Sequence, residues 1–214
     1  MHVNAKSKSK DAQNIIHTSA DFDFEDLDYH RRDLFCFSVD PEIVISLNIT
    51  EAQRQLAKEI GERRTNINSK WNKRSQARTN TLQQVNQRSV FTADELGALG
   101  EIVLRDYLSE DFESKFAPLI TENDTGLTEK EQAPDIVNKH LGNIDIKTIE
   151  YYRENIAIKK KQLTTNRYDG VIAIKLNEYL TEATIKYINL KDPNTKLTEK
   201  TGQCGKPNFY ITPF

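Results

Sequence analysis

The sequence is poor in cysteine, in histidine and in long apolar runs, and each shortage excludes a class of protein. Two cysteines, Cys36 and Cys204, cannot build a disulfide framework, and four scattered histidines show no zinc-site spacing. No apolar run approaches the roughly 18 residues that a membrane span needs. Residues 1–10 are polar and lysine-rich, so we expect no secretion signal. The sequence therefore predicts a cytoplasmic protein with no contact to a membrane.

Motifs for nucleotide cofactors and for serine hydrolases are missing as well. The chain contains no P-loop, no Gly-x-Ser-x-Gly and no glycine-rich dinucleotide fingerprint. We therefore expect no small-molecule cofactor. The length of 214 residues suits one large domain, or one core domain with an arm.

Charge is distributed unevenly along the chain, although the formal net charge is only -2. Residues 1–50 carry a net charge of -4, residues 51–90 of +6, residues 91–150 of -9 and residues 151–214 of +5. An acidic middle between basic segments suits a metal site with phosphate-binding surfaces on its flanks. Surface charge that merely varies along the chain gives the same pattern, and the sequence leaves both interpretations open.

Composition and periodicity divide the chain into three predicted parts of an α/β (α+β) protein. Residues 1–18 contain few side chains to bury, so we expect a disordered tail. Residues 19–90 are predicted to form a mainly helical, basic arm that contacts DNA or a dimer partner. Residues 91–214 are predicted to form the core. The predicted elements are helices over 50–62, 94–108 and 155–163, and strands over 42–47, 134–138, 143–149, 171–176, 183–190 and 209–212.

A basic stretch over residues 61–90 is rich in asparagine and glutamine and poor in apolar side chains. Arginine and lysine suit phosphates and guanine edges, whereas the amides suit adenine edges. A solvated linker or an exposed helix fits the same composition, so that interpretation stays open. The candidate DNA contacts are Arg63, Arg64, Lys70, Lys73, Arg74 and Arg78, together with Lys159, Lys160, Lys161 and Gln162 in the helix predicted over 155–163.

Asp145 and Lys147 share one face of the strand predicted over 143–149, and the opposite face is apolar. Asp135 lies at the start of the partner strand, where pairing in a hairpin brings its carboxylate near Asp145. Two carboxylates at that separation repel each other unless a divalent cation lies between them. Mg²⁺ commonly takes one or two carboxylates and completes its coordination with water and phosphate. The hairpin is therefore a candidate magnesium site.

Lys147 and Glu101 have tasks beside such a site. Lys147 can orient an attacking water, or help to deprotonate it, while the metal lowers the pKa of that water. Glu101 lies on the flank of the apolar stripe of the helix predicted over 94–108, where it can hold a metal-bound water or a second ion. A surface ion pair between Asp145 and Lys147, and an ordinary helix-flank carboxylate at Glu101, remain the simpler explanations.

Pro134-Asp135 followed by Asp145-Ile146-Lys147, with Glu101 on a preceding helix, resembles the PD-(D/E)xK nuclease superfamily, which includes many type II restriction endonucleases. The resemblance covers about residues 92–190. It implies a mixed central sheet flanked by helices, a restriction-endonuclease-like core, and hydrolysis of DNA phosphodiester bonds with Mg²⁺, or with Mn²⁺ as a substitute. It also implies that Asp135, Asp145 and Glu101 hold metal and that Lys147 assists the water. Gln162 matches a position where some members carry an active-site residue.

The spacing of the motif is not specific by itself. With 32 acidic residues and 19 lysines, about three acid-x-Lys triplets arise by chance. Two occur, Glu113-Ser114-Lys115 and Asp145-Ile146-Lys147, and only the second lies in an alternating apolar frame downstream of the single Pro-Asp dipeptide. We expect a type II restriction endonuclease that acts on duplex DNA as a homodimer, since cutting both strands of a palindrome needs two sites. The alternatives are a structure-selective or repair nuclease, a toxin nuclease and a non-catalytic DNA-binding protein.

Overall fold

A computed structural model describes residues 15–17, 34–71, 91–109, 111, 113–117, 134–165, 167–201 and 207–214. None of its helices is long and apolar enough to cross a membrane, over the residues described. The elements in chain order are β1 (Ile15–His17), α1 (Phe35–Val39), β2 (Val44–Asn48), α2 (Glu51–Trp71), α3 (Ala93–Tyr107), β3 (Ser114–Phe116), β4 (Ile136–Asn138), β5 (Gly142–Ile149), β6 (Ile156–Lys159), α4 (Lys160–Thr164), β7 (Gly170–Leu176), β8 (Glu182–Asn189), β9 (Thr198–Thr201) and β10 (Pro207–Ile211).

Seven strands form one mixed sheet in the order β1-β2-β8-β7-β5-β4-β3. Neighbouring strands are antiparallel except β5 and β7, which run parallel. Parallel strands need a crossover connection, and here the crossover contains β6 and α4. The strands β6, β10 and β9 form a small antiparallel sheet. A mixed sheet with few helices confirms the predicted α+β class at this level of detail.

The two faces of the large sheet pack against different partners. Helices α2 and α3 cover one face, and the small sheet covers the other. Side chains alternate along β5, so its isoleucines at 144 and 146 join the helical side, whereas Ile149 joins the cluster under the small sheet. By the same alternation, Asp145 and Lys147 lie on the face toward the small sheet, which agrees with the predicted strand pattern.

Helix α3 lies close to β5 because of a glycine. Thr92 and Glu95 form the predicted capping box and start the helix. A Cβ atom at Gly100 would lie only 2.0 Å from Oγ1 of Thr148 on β5. Glycine therefore permits an approach that a larger residue would prevent. The next residue, Glu101, is thereby placed beside the strand that carries Asp145.

Residues 34–71 share the core of the following residues and do not form a separate arm. Strand β2 pairs with β8 in the large sheet, and its side chains Ile45 and Leu47 join the same apolar cluster as α3. Strand β1 also pairs with β2, and β1 lies within residues 1–18, the segment predicted to be a disordered tail. The predicted division at residue 90 therefore does not coincide with a division between cores, because β2 finds its partner in β8.

The prediction of a helix over residues 155–163 is wrong for most of that range. Its first half is β6, and helix α4 has only five residues. Ile156 and Ile158 are buried and alternate with exposed Ala157 and Lys159, which is the pattern of a half-buried strand. The partner of β6 is β10, about 50 residues downstream, so local sequence alone does not reveal the pairing.

Candidate active site

Asp135 lies where β4 meets β5. The ladder between these strands ends at the Ile136–Ile144 pair, so the N–H of Ile146 lies beyond the paired part of β4. Asp135 Oδ2 accepts a hydrogen bond from that N–H at 2.7 Å. The carbonyl of Asp135 in turn accepts from the N–H of Ala117 at 2.8 Å. Both contacts fix the Asp135 carboxyl beside β5.

Asp145 is a buried carboxylate beside a lysine. The residue is only 4% exposed, and Nζ of Lys147 lies 2.5 Å from its Oδ2. That oxygen receives no hydrogen bond of suitable direction from the part of the chain that the structure describes. A carboxylate buried in this way retains acceptor capacity for a further cation or donor. The pair is therefore not an ion pair on an exposed sheet face.

Asp135 and Asp145 are close enough for a hydrogen bond between their side chains. Burial raises the pKa of Asp135 to about 7, and the charge of Asp145 and a hydrogen bond between the two carboxyl groups add to the effect. The N–H of Ile146 opposes it and favours the charged form. Near neutral pH the Asp135 carboxyl is therefore protonated for part of the time. A divalent cation is an alternative means of compensating the two charges.

The donor atoms of the two aspartates suit a magnesium ion. Both are oxygen donors, and one of them has a buried oxygen with acceptor capacity left over. Mg²⁺ needs no more than one or two carboxylates from the protein. Across the described ranges, no three His, Cys, Asp or Glu side chains form a group that could hold a metal. Glu101 does not complete a three-carboxylate set with Asp135 and Asp145.

Glu101 lies near the pair but is held by an arginine from α2. Arg64 donates from Nη1 to Oε1 at 2.8 Å and from Nη2 to Oε2 at 2.6 Å. The charge of Glu101 still contributes to the raised pKa of Asp135, which places it within electrostatic reach of that carboxyl. The Arg64 side chain, predicted as a DNA contact, is only 14% exposed. Arg64 therefore pairs with a carboxylate of the protein and does not lie on an exposed surface as the predicted DNA contact would.

Arg105 lies beside this site and was not among the predicted residues. Its guanidinium donates to the carbonyl of Ala117 and lies 4.6 Å from the ring centroid of Phe116. Burial lowers the pKa of Arg105, the charge of Glu101 raises it, and that of Arg64 lowers it further. The sequence signal is its position four residues after Glu101 on one helix, a spacing at which opposite charges meet.

Tyr168 and Gln162 reach the site from the crossover. Burial raises the pKa of Tyr168 to about 12, and the charge of Asp145 adds to the effect. The Tyr168 hydroxyl is hydrogen bonded to the side chain of Gln162, which also accepts from the N–H of Lys159 at 3.2 Å. Gln162 thus contacts the site through Tyr168. Sequence reasoning missed this tyrosine because it precedes β7 in a segment without a motif.

The structure describes only some of the other predicted DNA contacts. Arg63 lies on the exposed side of α2, and Lys159 is exposed at the end of β6. Lys160 Nζ lies 3.0 Å from Glu199 Oε1. Lys70 belongs to α2 and Lys161 to α4. The predicted contacts Lys73, Arg74 and Arg78 fall outside the described residues.

Comparison with known proteins adds no family to this geometry. No protein-family model, no curated protein and no solved structure matches the chain. The function of the site has to follow from its own residues and their chemistry.

Proposed function

We propose that the protein is a Mg²⁺-dependent endonuclease of the PD-(D/E)xK type that hydrolyses phosphodiester bonds in DNA. The observation that carries the proposal is the carboxyl pair of Asp135 and Asp145 with Lys147 on the same strand face. Two adjacent buried carboxylates are costly unless a proton or a cation compensates them. A site of two carboxylates and a lysine meets the needs of metal-assisted phosphodiester hydrolysis.

Each residue has a task in this reaction. Mg²⁺ held by Asp135 and Asp145 would lower the pKa of a bound water and stabilise charge on the phosphate. Lys147 reaches the solvent, since its side chain is 29% exposed, so its ammonium can hold the attacking water and balance the phosphate. The N–H of Ile146 keeps the carboxyl of Asp135 aimed at the site. Tyr168, in the crossover, lies within electrostatic reach of Asp145 and is hydrogen bonded to Gln162.

We also propose an architecture for the core and a class of substrate. A restriction-endonuclease-like core is supported by the mixed sheet, in which β5 carries Asp145 and has the parallel strand β7 beside it. We take the substrate to be duplex DNA, with Mn²⁺ able to replace Mg²⁺. Cleavage of both strands at a palindrome needs two sites, so the proposed assembly is a homodimer.

The test is cleavage of DNA by the full chain with matched variants. Supercoiled plasmid and linear duplexes are incubated with Mg²⁺, with Mn²⁺ and with EDTA. Asp145→Asn removes one charge from the carboxyl pair, and Glu113→Gln makes a similar change in the other acid-x-Lys triplet. We expect cleavage that needs the metal, is lost in Asp145→Asn and is kept in Glu113→Gln. Binding of DNA without cleavage under any metal would remove the proposal.

The pattern of products distinguishes the kinds of nuclease. Discrete fragments from linear duplexes indicate a restriction enzyme, and cleavage confined to branched substrates indicates a structure-selective nuclease. A smear keeps the nuclease activity and removes sequence specificity. Cross-linking or light scattering of the protein with its DNA decides whether the active form is a dimer.

A further inference from the structure

Arg64 and Glu101 form a two-pronged ion pair at the border of the candidate site. Both guanidinium Nη atoms donate to separate carboxylate oxygens, at 2.8 and 2.6 Å. The side chains are 14% and 22% exposed, so the pair is less accessible to solvent than a surface ion pair. Paired parallel hydrogen bonds of this kind fix the orientation of both groups.

A glycine on α2 allows a close contact between α2 and α3 next to this arginine. A Cβ atom at Gly61, one turn before Arg64, would lie 2.6 Å from the Cα atom of Glu95, so glycine allows α2 to lie directly on α3. A Cβ atom at Gly97 would lie 3.8 Å from Nη1 of Arg64, an ordinary van der Waals distance, so the guanidinium passes close to α3 at Gly97. The close helix contact at Gly61 lies one turn from the Arg64–Glu101 pair.

The placement of Arg64 has a cost. Its Nε atom is buried and has no hydrogen-bond partner among the described residues. A buried donor without a hydrogen-bond partner destabilises the folded chain, and a buried ion pair is weak evidence for a role in stability. A buried arginine at this position thus needs an explanation beyond the packing of α2 on α3.

The geometry limits what Glu101 can do. Each of its oxygens already accepts one hydrogen bond from Arg64 and keeps one acceptor position. Such a carboxylate can accept from a water molecule, whereas its charge toward a metal ion is largely compensated by the guanidinium. This agrees with the finding that Glu101 forms no metal-holding group with the aspartates among the described residues.

Building on the function proposed above, we propose that Arg64 is a positioning residue of the metal site. It holds Glu101 as an acceptor for a metal-bound water and keeps that carboxylate out of the direct ligand set. This role replaces the DNA contact predicted for Arg64 from its basic surroundings. It also makes α2 part of the active site.

The first measurement is Mn²⁺ affinity by calorimetric titration of the full chain without DNA. Arg64→Gln removes the compensating charge and frees Glu101, so we expect about fivefold tighter Mn²⁺ binding. Arg64→Lys keeps the charge, and we expect affinity within twofold of the wild type. Arg54→Gln is the control, because Arg54 also pairs with a glutamate on α2, Glu51, away from the site. We expect no change in that control.

The second measurement separates orientation from charge. Both Arg64→Gln and Arg64→Lys lose the two-pronged hold on Glu101, so we expect kcat to fall about 10- to 100-fold with KM for DNA unchanged. The salt dependence of DNA binding in EDTA is measured in parallel. Loss of a phosphate contact lowers the slope by about 0.9, and we expect no such change.

Three results would overturn the inference, and each differs from failure of the proposed function. A slope lowered by about 0.9 with unchanged Mn²⁺ affinity makes Arg64 a DNA contact. A lower melting temperature with unchanged affinity and kcat makes the pair a helix–helix contact only. Full activity in Arg64→Lys removes the orienting role. If the wild type binds no Mn²⁺, or Asp145→Asn binds it equally well, the proposed function falls instead.

Discussion

The two acid-x-Lys triplets have the same spacing and both lie at or on strands, yet their surroundings are opposite. Glu113-Ser114-Lys115 is at β3, the last strand at one end of the described sheet. The Glu113 carboxylate faces two basic groups, Lys139 at 3.0 Å and the His140 ring at 2.5 Å. The hydrogen bond from Lys139 is the main reason that the pKa of Glu113 lies below its usual value.

Asp145-Ile146-Lys147 is on β5, an inner strand of the sheet. Its carboxylate is buried and faces Asp135, whose pKa is raised instead of lowered. The Glu113 carboxylate is compensated by the ammonium of Lys139, whereas two carboxylates with one lysine still lack positive charge. The neighbour supplied by the sheet, and not the spacing in the triplet, therefore distinguishes the two acids and makes only Asp145 a candidate for binding a cation.

The largest contrast should appear when each lysine is replaced. We expect Lys147→Met to lower the cleavage rate about 10²- to 10⁴-fold, because the water and the phosphate lose their ammonium partner. Lys115→Met should stay within twofold of the wild type, since Lys115 is exposed on β3. The measurement is single-turnover cleavage of a duplex at saturating Mg²⁺. Equal losses in both variants would erase the distinction between the triplets.

The carboxylates should differ next in metal binding. Asp145→Asn removes one of the two proposed ligands, and we expect Mn²⁺ affinity to fall at least tenfold. Glu113→Gln should bind Mn²⁺ as the wild type does, because Lys139 already compensates Glu113. The rise of melting temperature with Mn²⁺ concentration reports both affinities. If the rise of melting temperature with Mn²⁺ were lost in Glu113→Gln, the metal site would lie at β3 instead.

The pH dependence of stability should have opposite signs in the two regions. The pKa of Asp135 rises from its usual 3.8 to about 7 on folding, so between these values the folded chain keeps a proton that the unfolded chain releases. The free energy of unfolding therefore decreases as pH rises from about 4 to 7. In EDTA, the free energy of unfolding of Asp135→Asn should exceed that of the wild type by an amount that grows as pH rises through this window. The difference should reach about 1–3 kcal/mol at pH 8.

Glu113 provides the comparison for this prediction. Its pKa is lowered on folding, so its contribution is present above the unfolded value near 4.5 and is lost as pH falls through the folded value. Glu113→Gln should accordingly gain nothing at pH 8. Urea unfolding at pH 5, 6, 7 and 8 measures both variants, and parallel curves for Asp135→Asn and the wild type would contradict the raised pKa.

The smallest effect is expected from the ion pair at β3. The Lys139 side chain is 70% exposed, and exposed pairs contribute at most about 1 kcal/mol. We expect Lys139→Gln to lower the free energy of unfolding by no more than about 0.5 kcal/mol, and the difference to disappear in 1 M salt. A loss several times larger, insensitive to salt, would show that this region is more than a solvated edge.

Much of the strand framework could be predicted from local pattern. Alternation predicted β5 within one residue of its start and assigned Asp145 and Lys147 to one face, and the capping box at Thr92 predicted the start of α3. These features depend on residues within a few positions of each other. The Pro134-Asp135 dipeptide likewise pointed to a carboxylate that the hairpin brings to Asp145.

The rest depends on contacts between distant segments. Strand β6 has the alternating burial of a half-buried strand, but its partner β10 lies about 50 residues downstream, so the local sequence does not reveal the pairing. Arg64 was placed on a DNA-binding surface because its neighbours in sequence are basic, whereas α3 supplies its partner 37 residues later. Arg105 and Tyr168 belong to no motif, and only the packing of α3 and the crossover on β5 brings them to the site.

The pairing of β2 with β8 has a consequence for synthesis of the protein. The partners of β2 lie about 140 residues downstream, and at typical translation rates that separation takes about 7–28 s to produce. During this time β2 has no β8 to pair with, so Ile45 and Leu47 lack part of the core in which they are buried. Pairing over such distances also slows folding. A nascent chain therefore cannot complete the large sheet until β8 has emerged from the ribosome.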